Sequence, residues 1–313
     1  MDEDIMCQSQ KTKESTLNHY DEEYEELRRT DFSGFQHTTQ SAVFPVYGTA
    51  QTGINCGMFA SAMAIYALSS GMHRKSNELR NILTECIVIR KNMILNLAHE
   101  MQHHGQMNAL SSLGEMYDAD CLARTINIFG ADKDGLAACG LDSSEPILAK
   151  VISFSDIERL EQVVRFARDN HLMVLVPYFA GEEAEPYDPE RVVTADEMYR
   201  AHWSVIKGEG KGKVSSVEIY EGNLLQTGET YSLDTVFDSN MSLADSLSWE
   251  RLLEEISVEP DLCAQAKTGL NSRINALLER GETQLPFDFD NEVEKVNLRG
   301  RLVVVGIRDI NDD

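Results

Sequence analysis

The order of the local patterns along the chain constrains its fold more than any other feature. Helical patterns fill most of the first half, over residues 57–68, 77–100 and 108–124. Strand patterns are concentrated in the second half, over residues 172–176, 202–207, 214–220 and 301–307, beside helices at 156–170 and 243–280. Helices first and strands later is the α+β pattern, so we predict that an N-terminal helical half packs on an antiparallel sheet from the C-terminal half.

The chain divides into a polar start and one larger domain. Residues 1–40 hold ten acidic and four basic side chains before Phe32, which predicts an acidic mobile tail. Residues 41–313 are then expected to form a single domain, with an extra helical segment near 243–285.

Net charge narrows the range of partners. The chain has 52 acidic and 28 basic side chains, which gives a formal net charge of −24. Phosphate-backbone binders and proteins that dock on anionic membranes rely on clustered Lys and Arg, so neither nucleic acid nor a membrane is an expected partner. The apolar stretch 58–68 is about half of the ~20 residues that a membrane span needs. Six cysteines without a C-x-x-C pair agree with a reducing compartment, and we predict a cytoplasmic protein.

Cys56 stands at the start of the apolar helical run 57–68. A thiol at a helix N-terminus lies at the positive end of the helix dipole, which favours the thiolate form. Gly57 leaves room for a substrate beside the backbone. Gln51 can fold back to place its side-chain N–H beside the backbone N–H of Cys56, and two such donors form an oxyanion hole. The segment therefore predicts a nucleophilic cysteine; the alternative is a buried structural cysteine.

A cysteine nucleophile needs a base, and His202 is the best placed of the eight histidines. It begins a predicted strand, with Trp203 expected to point to the opposite face. This resembles papain-like enzymes, which pair a cysteine on the first core helix with a histidine on a later strand. A third residue orients the imidazole in such sites, and both Glu221 and Asn223 are candidates, although both also suit a turn.

A competing zinc motif lies in the first half of the chain. His99, Glu100 and His103 match H-E-x-x-H, in which two histidines four apart on a helix hold zinc and the glutamate acts as base. The third ligand would come from Glu115, Asp118 or Asp120. Gly105 is expected to end the helix soon after the motif, where zinc peptidase helices usually continue. We therefore keep zinc catalysis as the alternative.

Taken together, these segments resemble the actin maturation proteases, which are cytosolic papain-like cysteine peptidases. The similarity is spread from about residue 43 to the last predicted strand. The matching segments are Gln51–Gly57, Gly105–Met107 (a turn entering a helix), Leu175–Tyr178, Ala201–Trp203, Leu233–Asp234, Asp238–Asn240 and Gly300–Val305.

The resemblance implies roles for three of the candidate residues. Cys56 would be the nucleophile, His202 the base and Gln51 an oxyanion donor. The implied activity is removal of the acetylated first residue, Met or Cys, from the acidic N-terminus of actin, with no metal or organic cofactor. A zinc metallopeptidase and a catalytically inactive actin-binding protein are the rival functions.

An acidic substrate presents a difficulty for a chain of charge −24. Like charges repel at long range, so a local basic patch is expected near the cleft. The two candidates are the stretch 74–91 and the group Lys207, Lys211 and Lys213.

Overall fold

The structure is a computed structural model. It describes residues 22, 24–36, 55–72, 83–112, 114–138, 146–180, 186, 201–220, 228–250, 260–282, 286–288 and 293–309, without the side chains of 69–72, 83–91 and 260–263. Gln51, Glu221 and Asn223 lie outside these residues, as do the acidic stretch 187–197 and residues 74–82.

Helices precede the first strand, and the second half of the chain then contains both strands and helices. The helices are α1 (residues 24–30), α2 (Cys56–Met72), α3 (Leu83–Met107), α4 (Ala119–Ala131), α5 (Lys133–Ala138), α6 (Ile157–Asp169), α7 (Leu233–Met241) and α8 (Pro260–Glu279). The strands are β1 (Ile147–Ser153), β2 (Met173–Phe179), β3 (Ala201–Gly208), β4 (Ser216–Tyr220), β5 (Glu229–Ser232), β6 (Ser246–Ser248), β7 (Phe287–Asp288), β8 (Val293–Lys295) and β9 (Arg301–Ile307).

Six strands form one antiparallel sheet in the order β1-β9-β2-β3-β4-β5. The last strand in sequence, β9, lies between the first two. Its run Leu302–Val305 is fully buried because helices cover both faces of the sheet. The mixture of helices with an antiparallel sheet confirms the predicted α+β class.

Alternate side chains of the strands enter two separate hydrophobic cores. Val303, Val305 and Trp203 face helices α2, α3 and α4. Leu302 and Val304 face the other core, which α1, α6 and α7 complete. Helix α2 contacts β3, β2 and β9, and its side chains from Met58 to Leu68 are buried except for the partly buried Tyr66. A helix that is apolar around its whole circumference, as α2 is, is stable only where other elements of the fold cover it.

A smaller sheet, ordered β6-β8-β7, accompanies helix α8. Its core consists of Tyr117, Leu247 and Trp249. The segment near 243–285, predicted to be an extra helical segment, thus contains strand β6 as well as α8. Tyr117, which precedes α4, joins this small core to the rest of the fold.

Helix α3 differs from its predicted end. It continues through Gly105 to Met107, so the turn expected at Gly105 is absent. A Cβ at Gly105 would lie 3.0 Å from Cε of Met58 and 3.4 Å from Cε of Met116, so the glycine provides space for packing. The next helix begins at Ala119, after Asp118 accepts from the N–H groups of residues 120 and 121. The helix predicted over 108–124 therefore begins later, at Ala119, and continues to Ala131 as α4.

Residues 24–36, predicted to belong to a mobile acidic tail, pack against the sheet instead. Leu27, Phe32 and Phe35 are buried in the core that α6 shares. Asp31 also pairs with Arg159 of α6. Among the many acidic residues of this segment are three apolar side chains whose spacing places them on one buried face. Burial of these three side chains holds the segment against the sheet.

Candidate active site

Cys56 is the first residue of α2 and lies against the start of β3. Its partly buried Sγ is 4.0 Å from the carbonyl oxygen of Ala201. Close packing brings the two elements together: a Cβ on Gly57 would lie 3.0 Å from Cβ of Met116 and 3.3 Å from Cδ1 of Trp203. Glycine therefore permits the contact between the helix start and the strand.

His202 is the second residue of β3 and is partly buried beside β2. It pairs in register with Tyr178, and the two ring centroids are 5.9 Å apart at an angle of 63°. Burial lowers the pKa of His202 to about 4. The imidazole is consequently neutral near pH 7, which is the protonation state that a general base requires.

The backbone of His202 lies close to Cys56 in space, but the geometry of β3 directs the imidazole toward Tyr178. Successive side chains of a strand alternate between faces. Trp203 lies on the face that α2 covers, whereas His202 shares the face of Tyr178. Since Sγ is 4.0 Å from the Ala201 carbonyl oxygen, peptide geometry puts the Cα of His202 within about 7 Å of the thiol.

Asn55 precedes the candidate nucleophile and was not singled out from the sequence. Its carbonyl oxygen accepts from the N–H groups of Met58 and Phe59, and its side chain is 4% exposed. Asn55 Nδ2 donates to Oε1 of Gln102 at 3.1 Å. Its Oδ1 is buried and has no hydrogen-bond partner among the described residues. An asparagine just before an apolar helical run is a recognisable N-cap signal, so the sequence did contain the information.

A buried charged cluster lies across the loop 111–116 from Asn55. The structure describes residues 111, 112 and 114–116 of this loop. Arg273 of α8 is 2.7 Å from Glu294 and 3.7 Å from Glu115, and all three side chains are at most 6% exposed. Trp249 Nε1 donates to Glu294 at 3.0 Å. Burial raises the pKa of Glu294 to about 7, against the opposing effect of Arg273. The three charges come from distant parts of the sequence, and no local pattern indicates their pairing.

The H-E-x-x-H residues do not meet their proposed third ligand in the part of the chain that the structure describes. His99 and His103 are exposed on α3. Each candidate acid has other contacts: Glu115 accepts from the N–H of Ser112 at 2.6 Å, Asp118 caps α4, and Asp120 pairs with Arg301. No group of three or more potential metal ligands occurs among the described residues.

Of the two candidates for the expected basic patch, only the group Lys207, Lys211 and Lys213 can be placed relative to Cys56, because residues 74–82 and the side chains of 83–91 lie outside the described part of the chain. Lys207, Lys211 and Lys213 lie at the end of β3 opposite to Ala201, and eight strand residues span about 23 Å. Two surface grooves of ≈ 670 and ≈ 540 Å³ are likewise elsewhere, at α1 and at the start of α6, and neither is lined by Cys56 or His202.

Comparison of the chain with protein-family models, with curated proteins and with solved structures found no match. Among the described residues, no helix is both long enough and apolar enough to cross a membrane.

Proposed function

We propose that the protein is a papain-like cysteine peptidase in which Cys56 is the nucleophile and His202 the base. One observation carries the proposal: the thiol at the N-terminus of a buried helix lies 4.0 Å from the backbone oxygen that immediately precedes His202. A nearby histidine base and a helix N-terminus are both ways of activating a cysteine nucleophile.

Catalysis requires the imidazole to turn from Tyr178 toward the thiol. The Cα of His202 is within about 7 Å of Sγ, but its side chain starts from the opposite face of the sheet, so the proposal requires the first residues of β3 to shift together with the imidazole. Catalytic hydrogen bonds often form only when substrate is bound. His202 lies near the beginning of β3, where one neighbouring residue, Ala201, is partly buried rather than enclosed.

The proposed reaction is acyl transfer to Cys56 followed by hydrolysis. Neutral His202 takes the thiol proton, and the thiolate attacks the carbonyl carbon of the first substrate residue. The N–H of Cys56 and the side chain of Gln51 bind the oxyanion. His202 then returns the proton to the leaving amine, and water, activated by the same imidazole, releases the acyl group and regenerates the thiol.

The proposed substrate is the acetylated N-terminus of actin. Support comes from the sequence segments that resemble the actin maturation proteases, above all the five-residue spacing of Gln51 and Cys56 and the Ala201–Trp203 segment. The third catalytic residue is proposed to be Glu221 or Asn223, and the location in the cell to be the cytoplasm.

Mass spectrometry of an acetylated actin N-terminal peptide provides the test. We expect the chain to release the first residue and Cys56→Ala to reduce the rate by at least about 10³-fold, because the acyl-enzyme cannot form. His99→Ala serves as the control and should retain full activity. Loss of activity in His99→Ala but not in Cys56→Ala would favour the zinc alternative, and peptide binding without cleavage would favour an inactive actin-binding protein.

A further inference from the structure

The loop 111–116 connects the buried charged cluster to the start of α2. On one side it contacts Asn55, since a Cβ at Gly114 would lie 2.9 Å from Cβ of Asn55 and 3.0 Å from Cδ of Gln102. Gly114 has a φ of +108°, a conformation that side-chain-bearing residues rarely adopt. The loop therefore fits closely over the hydrogen-bonded pair of Asn55 and Gln102.

Glu115 fixes the other side of this loop. Its Oε1 accepts from the N–H of Ser112 at 2.6 Å, and its Oε2 accepts from the Ser111 hydroxyl at 3.2 Å. Arg273 then links Glu115 to α8, and Arg273 Nε also donates to the carbonyl oxygen of Ala109. Helix α8 touches the loop directly, because a Cβ on Gly269 would overlap the carbonyl oxygen of Ser112.

We propose that Glu115 and Arg273 are positioning residues for Cys56, acting through the loop 111–116 and Asn55. The inference rests on the proposed function, in which Cys56 is the nucleophile. Glu115 holds the loop, the loop holds Asn55, and Asn55 holds the first turn of α2 through its carbonyl oxygen. The helix dipole stabilises the thiolate only while Cys56 keeps its place at the start of that turn.

Charge burial explains why the cluster is suited to this role. A buried ion that loses one of its partners destabilises a folded protein by several kcal/mol in general. Each charged side chain of the cluster therefore restricts the positions of the others. The side chain of Asn55 is held by its hydrogen bond to Gln102 and by the close approach of Gly114, whereas its Oδ1 accepts no hydrogen bond from the residues that the structure describes.

The test measures alkylation of Cys56 by iodoacetamide as a function of pH, with site mapping by mass spectrometry. In Glu115→Ala we expect the rate at pH 7 to fall about tenfold and the pH midpoint to rise by about one unit, because the first turn of α2 loosens. Glu115→Gln keeps an acceptor for the Ser112 N–H and should recover most of the rate.

Two further variants separate positioning from general loss of stability. Phe32→Leu replaces a ring that stacks on Phe166 in the core on the other face of the sheet, and it should destabilise the fold without changing the rate for Cys56. Asn55→Ala should lower the rate as Glu115→Ala does, and the double variant should lower it no further, since both act on one chain of contacts.

The outcomes distinguish this inference from the proposed function. If Cys56 of the unaltered chain reacts no faster than Cys121, whose thiol pKa is raised to about 12 by burial, both fail. If Cys56 reacts rapidly and folded Glu115→Ala retains the same rate and pH midpoint, only the positioning role is overturned. Additive effects in the double variant would also overturn it.

Discussion

At the scale of single residues, two titratable groups with shifted pKa values make the free energy of unfolding depend on pH in opposite directions. His202 has a lowered pKa, so its neutral form is favoured in the folded state. Glu294 has a raised pKa, so its protonated form is favoured. Each group links unfolding to pH, and because the two pH windows overlap, a single substitution at each residue is needed to separate them.

His202 should make the fold sensitive to acid. Between pH 6.5 and its folded pKa of about 4, the unfolded chain binds a proton that the native imidazole does not. Unfolding free energy should therefore fall by about 2 kcal/mol across this window through His202 alone. Urea unfolding of His202→Gln should lack this component, and the exposed His103→Gln should keep it. An identical pH profile in His202→Gln would contradict the buried state of the imidazole.

Glu294 should act in the reverse direction. Its folded pKa of about 7 exceeds the ordinary value of 4.5, so the stability from its protonated form is present at low pH and is lost as the pH rises from 4.5 through 7. Glu294→Gln cannot ionise, and its stability relative to the unaltered chain should increase across this window. Denaturant midpoints at pH 5 and pH 8 measure the difference. A constant difference would mean that Glu294 is ionised throughout.

The sequence predicted where the candidate residues stand in helices and strands better than it predicted the direction in which their side chains point. Cys56 at a helix start and Trp203 on the packed face of its strand follow from the sequence, and the structure has both. The contact of His202 with Tyr178 does not follow, because it depends on the register between β2 and β3. Arg273 has no local signal at all, since an arginine in a polar helix pattern is indistinguishable from an exposed one.

At the scale of elements, the meaning of a glycine depends on what packs against it. Gly105 predicts a helix end by composition, yet it lies within α3 because two methionines occupy the space beside it. Gly269 has the same function in α8, where the helix meets the backbone of Ser112. Sequence alone cannot separate a terminating glycine from a contact glycine, since the deciding atoms belong to other elements.

Gly269→Ala should separate α8 from the loop 111–116. The added Cβ would overlap a backbone oxygen that cannot move alone, so we expect a loss of about 1–3 kcal/mol despite the better helix propensity of alanine. Ser272→Ala, at an exposed position of the same helix, is the control and should change stability by less than about 0.5 kcal/mol. Chemical denaturation measures both. Equal or greater stability in Gly269→Ala would show that α8 does not pack as described.

At the scale of the whole molecule, the net charge of −24 and the proposed acidic substrate oppose each other. The described lysines at the end of β3 are about 23 Å from the strand residue that touches Cys56, which is beyond the Debye length of ~8 Å at physiological salt. They therefore offer little local attraction at the thiol under such conditions.

Salt should accelerate the reaction with an acidic peptide. Raising the ionic strength screens repulsion between two negative partners, so kcat/KM for an actin-like peptide should increase severalfold between about 20 and 150 mM NaCl. A peptide with its acids replaced by the corresponding amides should show little change. A decrease with salt for the acidic peptide would indicate that a basic surface surrounds the site.

The position of β9 has a consequence for the order in which the sheet can form. This strand lies between β1 and β2, which precede it by more than a hundred residues in sequence, and it supplies side chains to both main cores. Contacts of such long sequence separation form slowly. The middle of the sheet therefore closes late in folding, and the two cores on its faces gain their shared strand in the same step.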